Sequence, residues 1–263
     1  MIESTQNKHI KWLMGIQKNK RQRNKEKLFV IEGIKIVEEI PRDWEIDSVF
    51  VSSSFKKENE KLLRELFLKK DIIIEVSDKI FDKIADTTTP QGILAVCKQK
   101  TFTLEKVITK RNGFYIVLED IKDPGNLGTI IRTGDAAGVD GIFLTKECVD
   151  LYNPKVIRST MGSIFHLPIL IDIDMDELIK QFTTSNVSVL SAHLKGKRYP
   201  YDCDLKAGIA ILIGNESSGI KDTTAKKTDI LVKIPMPGKA ESLNAAMAAG
   251  ILMYEVIRQR VNC

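Results

Sequence analysis

The residues of this 263-residue chain best suited to chemistry sit in three polar stretches, Asn126-Leu-Gly-Thr-Ile-Ile-Arg132, Gly214-Asn-Glu-Ser-Ser-Gly219 and Pro235-Met-Pro-Gly-Lys-Ala-Glu-Ser-Leu-Asn244. Each follows a run that reads as a buried strand, the position at which an open α/β sheet places its ligand loops. Arg132 offers five donors in a planar fork suited to phosphate oxygens. Glu216 is a general base by type, and equally a group that bridges within its own loop. Ser242 reads both as a polar contact and as the N-cap of the helix that follows. Backbone groups of the glycine-containing loop, with Pro235–Ser242 as a second wall, suit a planar heterocycle. That points to an adenosine-bearing small molecule.

Several other chemistries are excluded. Gly214 to Gly219 has the spacing of a phosphate cradle, but Ile220-Lys221 follow where Lys and then Ser or Thr are needed. The loop Asp123-Pro-Gly-Asn-Leu-Gly128 is not a dinucleotide fingerprint, and no histidine follows His193 to complete a hydrolase triad. Cys97, Cys148, Cys203 and Cys263, with His9, His166 and His193, lack metal-ligand spacing, so no metal is expected. No apolar run has membrane-spanning length and no secretory h-region opens the chain, which predicts a cytoplasmic protein without a membrane partner.

The elements that must position these residues read as two α/β blocks. The first runs over residues 28–100, with strands near Phe29–Ile31, Ser48–Val51, Ile72–Val76 and Ile93–Cys97. Its helix over Glu60–Lys70 places Leu62, Leu63, Leu66 and Phe67 on one face, and its polar loop Asp86–Gly92 reads as a turn. Residues 101–112 form a linker. The second block, 113–263, starts with a strand at Phe114–Leu118. A helix then opens at Asn126 or Leu127 and ends at Gly138, followed by a strand at Gly141–Thr145. Asn153-Pro154 predicts an N-cap and first helical residue. Further strands are expected at Pro168–Ile171, Val187–Ser191, Ile209–Ile213 and Ile230–Ile234, with a helix near Asp176–Phe182. A last helix, rich in small residues and suited to close packing, is expected from Leu243 to Arg260 after Ser242.

Charge is unevenly placed. The net charge is +5, yet residues 1–30 carry eight basic side chains against Glu3 and Glu26, so this segment holds +6 and the remainder −1. A basic arm over residues 1–27 on a near-neutral body suggests a polyanion, most simply nucleic acid, with Lys18, Lys20, Arg21 and Arg23 as contacts. Ile10, Trp12, Leu13 and Ile16 allow part of the arm to be a packed helix.

Taken together, the motifs resemble the SpoU (TrmH-like) branch of the SPOUT RNA methyltransferases. The resemblance rests on Asn126, Gly128 and Arg132; on Ile211-Leu-Ile-Gly214-Asn215-Glu216 with Gly219; and on Pro235 to Asn244 before an alanine-rich helix. Asn153-Pro-Lys-Val-Ile-Arg158-Ser-Thr-Met-Gly162 is similar to the segment linking these motifs in the family. The resemblance implies a knotted C-terminal domain with a parallel sheet and helices on both faces, preceded by a smaller α/β RNA-binding domain. It also implies S-adenosylmethionine as methyl donor, a ribose 2′-hydroxyl as acceptor, and a homodimer through the C-terminal domain. Arg132 is then the principal catalytic residue, with Asn126, Glu216, Ser242 and Asn244 around it. The cofactor lies along Leu212, Ile213, Gly214, Asn215, Ile234, Met236, Gly238 and Leu243. Guanidinium groups hold their proton at neutral pH, so gripping a phosphate is the role open to Arg132, which counts among the RNA contacts too. The extra basic surface favours ribosomal over transfer RNA. A non-catalytic RNA-binding or ribosome-assembly protein on the same fold is the alternative.

Overall fold

The computed structural model describes residues 1–66 and 70–261. In chain order its elements are α1 (Lys8–Lys18), α2 (Lys20–Glu26), β1 (Leu28–Glu32), α3 (Ile34–Glu38), β2 (Ile46–Ser52), α4 (Ser53–Glu58), α5 (Glu60–Leu66), β3 (Ile73–Val76), α6 (Asp78–Ile84) and β4 (Ile93–Lys98). There follow α7 (Leu104–Val107), β5 (Phe114–Leu118), α8 (Pro124–Ala136), β6 (Gly141–Thr145), α9 (Pro154–Thr160), β7 (Ile169–Ile173), α10 (Met175–Thr184) and β8 (Ser188–Ala192). The chain ends with β9 (Ile209–Ile213), α11 (Asp222–Ala225), β10 (Ile230–Val232) and α12 (Ala245–Val261). Two compact units emerge: Met1–Lys100 with Tyr152–Phe165, and Thr101–Leu151 with the chain from His166 onward. Phe67 and Cys263, named above, lie outside the described residues.

The first unit is built on a four-stranded sheet in the order β1-β4-β2-β3. Its β4 runs antiparallel to β1 and β2, while β2 and β3 are parallel. The basic N-terminal segment is folded here. Ile10, Leu13 and Ile16 recur at helical spacing and sink into a core with Val30, Phe50, Phe81 and Leu94. Asn7 caps α1, and Asn19 breaks the helix and restarts it, its Oδ1 accepting from the backbone N–H groups of Arg21 and Gln22. Lys18, Lys20 and Arg21 remain exposed. Arg23 does not. Only 4% exposed, its guanidinium donates to the carbonyls of Ile16 and Gln17 at 2.8 and 2.7 Å, so it closes the end of α1 instead of facing a partner. The turn at Asp86 is held by the rim of the sheet, where Glu32 accepts from the backbone of Asp86 and Thr87.

Tyr152–Phe165 joins this unit through aromatic packing. Tyr152 lies 4.8 Å from Phe29, and Phe165 stands edge-on to Trp44 at 4.9 Å. The helix α9 starts as its Asn-Pro pair dictates, Asn153 Oδ1 accepting from Lys155 N.

The second unit carries a six-stranded, all-parallel sheet in the order β10-β8-β9-β5-β6-β7. Strand order reverses between β5 and β9, and that switch point is where an open α/β sheet offers a crevice. The strands read as continuous apolar runs because both faces are covered. Tyr115, Val117, Phe143 and Leu212 pack with Leu178 and Phe182 of α10, and α12 packs on α8 and β9.

Two helix starts differ from expectation, for the same reason. The motif-one helix begins at Pro124, not at Asn126, because Asp123 Oδ1 caps it by accepting from Asn126 N at 2.7 Å. The final helix begins at Ala245, and its cap is Asn244, whose Oδ1 accepts from Ala246 N at 2.9 Å and Met247 N at 3.2 Å. Ser242 is left exposed in irregular chain. Among the described residues, Cys97, Cys148 and Cys203 are buried and unbridged, no cluster could hold a metal, and no helix is long and apolar enough to cross a membrane.

Candidate active site

The C-terminal ends of β8, β9 and β10 converge around a pocket of about 520 Å³ in the second unit. That volume lies within the roughly 300–1,000 Å³ typical of cofactor sites. Three chain segments wall it: His193–Lys195 after β8, Gly214–Asp222 after β9, and Val232–Met236 with Ser242–Leu243. Ile213, Ile234, Met236, Leu243, Ala245 and Ala248 supply apolar surface for a flat ring system.

The β9 loop is closed on itself. Asn215 N donates to Gly219 O at 3.1 Å and Gly219 N returns the bond at 2.9 Å. Asn215 Oδ1 collects the backbone N–H groups of Ser217 and Ser218, both at 3.0 Å, and its amide donates to Asp120 O at 2.8 Å. Only glycine fits at 214, because a Cβ there would stand 2.3 Å from the backbone of Gly219 and Ile220. The far end of the loop is fixed by Glu119. This buried carboxylate, at the end of β5, accepts from Lys221 N at 2.8 Å and Thr224 Oγ1 at 2.6 Å.

A single hydrogen-bonded chain ties the three motifs together. Glu216 accepts from Asn126 Nδ2 at 3.0 Å and from the backbone N–H groups of Asp123 and Lys122 at 3.1 and 3.2 Å. Asn126 Oδ1 in turn accepts from Asn244 Nδ2 at 2.8 Å. Asn126 is 9% exposed, so both ends of its amide are spent on this relay. Burial alone would raise the Glu216 carboxyl; the Asn126 amide and the backbone donors outweigh it and hold the group below its ordinary value. A carboxylate so satisfied anchors a loop well and accepts protons poorly.

Of the residues the sequence singled out, Ile213, Gly214, Asn215, Glu216, Ile234, Met236, Ser242 and Leu243 line the pocket. Asn126 and Asn244 are joined to it through Glu216. Leu212 belongs to the core, 0% exposed among the sheet residues, and Gly238 is exposed away from the pocket wall. Arg132 is exposed on α8, and its side chain makes no hydrogen bond or ion pair with any described residue. Six residues beyond Asn126, it stands about 9 Å further along the helix and about 120° around it. Sequence reasoning missed the wall after β8. Its position directly after the legible strand β8 is the signal available there.

A family model for the SpoU rRNA Methylase family matches residues 113–254. The chain belongs to that family. A second model, for an MRM3-like substrate binding domain, matches residues 7–95. Among family members, the 23S rRNA (guanosine(2553)-2'-O)-methyltransferase RlmP of Bacillus subtilis is 32% identical, the match covering 97% of this chain and 98% of that protein. The 23S rRNA (uridine(2479)-2'-O)-methyltransferase of Streptomyces viridochromogenes is 29% identical over 95% of this chain and 88% of its own length. The crystal structure of an AdoMet-bound rRNA methyltransferase from Sinorhizobium meliloti superposes with a TM-score of 0.89 at 30% identity, covering 98% of this chain and 97% of that one.

The relay makes a local prediction. Asn244→Ala removes a helix cap and the donor to Asn126, and should cost at least about 1 kcal/mol in denaturant unfolding. Ser242→Ala, which removes no cap, should stay within about 0.5 kcal/mol of wild type.

Proposed function

We propose that the chain is an S-adenosylmethionine-dependent methyltransferase acting on ribose 2′-hydroxyl groups of ribosomal RNA in the cytoplasm. The observation that carries this reading is the Glu216–Asn126–Asn244 relay at the rim of a cofactor-sized pocket, in a chain of the SpoU family. The glycine at 214 and the apolar residues facing it leave room for an adenosine-sized group, and the self-bonded β9 loop, in which Glu216 and Asp222 outnumber Lys221, suits a ligand without phosphates.

Bound S-adenosylmethionine supplies a methyl group that is already activated. The acceptor hydroxyl is the weak partner, and the protein's task is to place it. Positioning of two reactants supplies roughly 7–11 kcal/mol, whereas a general base contributes about 10²–10⁴-fold in rate. Residues that orient the sugar should therefore dominate. The Glu216 carboxylate holds the β9 loop and the start of α8 in register. Asn126 and Asn244 fix the approach of the third loop. Ser242, exposed on the pocket rim, is read as the contact to the ribose, and Arg132 as the grip on the adjacent phosphate.

The exposed, unbonded Arg132 is on a different side of α8 from Asn126, which favours completion of the site by a second copy of the chain. An apolar stripe supports that homodimer: Met247, Ile251 and Tyr254 follow one another along α12 at 61%, 43% and 54% exposure. A trefoil knot fits the crowding near β10, where a Cβ at Gly196 would stand 2.5 Å from Val232 and where Lys233 N donates to Arg198 O.

The first unit is read as the RNA-holding domain, with Lys18, Lys20 and Arg21 on its surface. Replacing these three with glutamine should weaken RNA binding regardless of sequence. The plot of log K against log salt should flatten by roughly 0.7–0.9 for each phosphate that is no longer neutralised. Arg23→Gln should instead lower stability, because it frees two carbonyls. The reading as a whole is tested by mapping 2′-O-methyl groups in ribosomal RNA from cells with and without the gene. At least one site should disappear; an unchanged map would remove the assignment.

A further inference from the structure

Between β8 and β9 the chain reads Leu194-Lys-Gly-Lys-Arg-Tyr-Pro-Tyr201, basic residues interleaved with aromatic ones, and nothing in the site described above uses its aromatic part. The rings of Tyr199 and Tyr201 stack with centroids 5.3 Å apart and planes 25° apart. Lys233 Nζ lies 5.7 Å from the Tyr199 centroid. Tyr201 is 56% exposed, a large apolar face left open to solvent. Lys197 and Arg198, four and three residues before it in the chain, are exposed, as is Lys233 beside its stacked partner Tyr199. Asp202, Asp204 and Asp222 are the acids in and beside this segment, and Lys195, Lys197, Arg198 and Lys233 outnumber them by one, so the patch keeps a small net positive charge.

Hydrogen bonds from β10 and α12 hold this segment in place. His193 N donates to Val232 O at 2.8 Å and Lys233 N to Arg198 O at 3.0 Å. Gln259 of α12 bonds both Cys203 O and Leu205 N, at 3.0 and 2.9 Å, beyond the aromatic pair. The segment also adjoins the pocket, since His193, Leu194, Lys195 and Lys233 line it.

We infer that Tyr201, flanked by Lys197, Arg198 and Lys233, is a docking platform for single-stranded RNA: one base stacks on the exposed ring while neighbouring phosphates meet the cations, and the strand passes to the pocket rim. A stacking face with cations about it fits an unpaired nucleic acid strand, because every base has a π-face and every linkage a charge. A neutral peptide would leave those cations unanswered. The inference rests on the RNA-methyltransferase reading and adds a place where the substrate is held.

The test uses the full-length protein and a fluorescein-labelled single-stranded oligouridine in anisotropy titrations, beside methylation assays on a ribosomal RNA fragment. Tyr201→Ala should weaken oligouridine binding and raise the KM for RNA by about 5- to 150-fold, with the affinity for S-adenosylmethionine within twofold of wild type. Tyr201→Phe should bind the strand like wild type, since stacking needs no hydroxyl. Lys197→Gln and Arg198→Gln should each flatten the salt dependence by about 0.7. Equal binding and KM in Tyr201→Ala and wild type would overturn the inference. So would a shift in oligomeric state with RNA affinity unchanged, which would give the face to a protein contact. If Tyr201 governs strand binding but the wild type transfers no methyl group, the platform stands and the activity reading fails.

Discussion

Arg132→Ala is expected to lower methyl transfer by about 10²–10³-fold, the size of effect seen when a preorganised charge partner of the reacting group is removed, while S-adenosylmethionine binds as in wild type. The expectation follows from where the side chain is. The Arg132 side chain bonds nothing among the described residues and lines no part of the pocket, so its removal disturbs neither the relay nor the cofactor walls. A companion experiment asks which copy supplies it. Gly214→Ala drives a methyl group into the backbone of Gly219 and Ile220 and should abolish cofactor binding. Each variant alone should retain at most about a hundredth of wild-type activity. If the arginine acts across a dimer, mixing and re-equilibrating the two should restore about a quarter of wild-type activity, because half the dimers are mixed and each holds one intact site. No recovery, with mixed dimers demonstrated, would mean that Arg132 serves its own pocket.

Glu216→Gln should damage the protein in a different way. The carboxylate faces four donors: the N–H groups of Lys122 and Asp123 and the side-chain amides of Asn126 and, at 3.5 Å, Asn215. A glutamine there points its own NH₂ at donors, so at least one hydrogen bond is lost and another becomes a repulsion. The expected loss is about 1–3 kcal/mol of stability, with cofactor affinity falling in parallel as the β9 loop comes free. The pH dependence has a definite sign. The folded-state pKa of Glu216 lies below the ordinary 4.5, so its contribution is fully present above that value and fades as pH falls through the lower, folded-state pKa. Glu216 therefore adds no limb to the rate profile near neutrality. A variant with unchanged stability and a rate lowered more than about 10³-fold would instead make Glu216 the proton acceptor.

Much of this fold was legible because its strands are buried on both faces and read as short apolar runs. Phe114–Leu118, Gly141–Thr145 and Ile209–Ile213 are strands to the residue. Helix starts are harder to place. Asn153-Pro154 reads directly as a cap, and Asp123-Pro124 carries the same signal, but the polar motif behind it draws the eye two residues too far. Ser242 and Asn244 are both good caps by type; the choice falls to Asn244 because its amide also reaches Asn126 across 118 residues, a contact no local pattern encodes. Charge misleads at Arg23, since a count of basic residues cannot tell a solvated guanidinium from one closing a helix end. The aromatic pairs that draw Tyr152–Phe165 to the first unit are equally long-range. Glycines and polar residues cluster densely in the other pocket loops, whereas after β8 His193-Leu-Lys-Gly196 carries the same signal only thinly.

The central claim is that the relay and pocket direct a methyl group from S-adenosylmethionine to a ribose hydroxyl. The most direct measurement incubates the purified protein with unmodified ribosomal RNA and methyl-labelled S-adenosylmethionine, digests the RNA to nucleosides and locates the label by mass spectrometry. Label confined to 2′-O-methylnucleosides, and absent with Arg132→Ala, is the predicted result. Label on a base, or none on RNA from a protein shown to bind the cofactor, would contradict it.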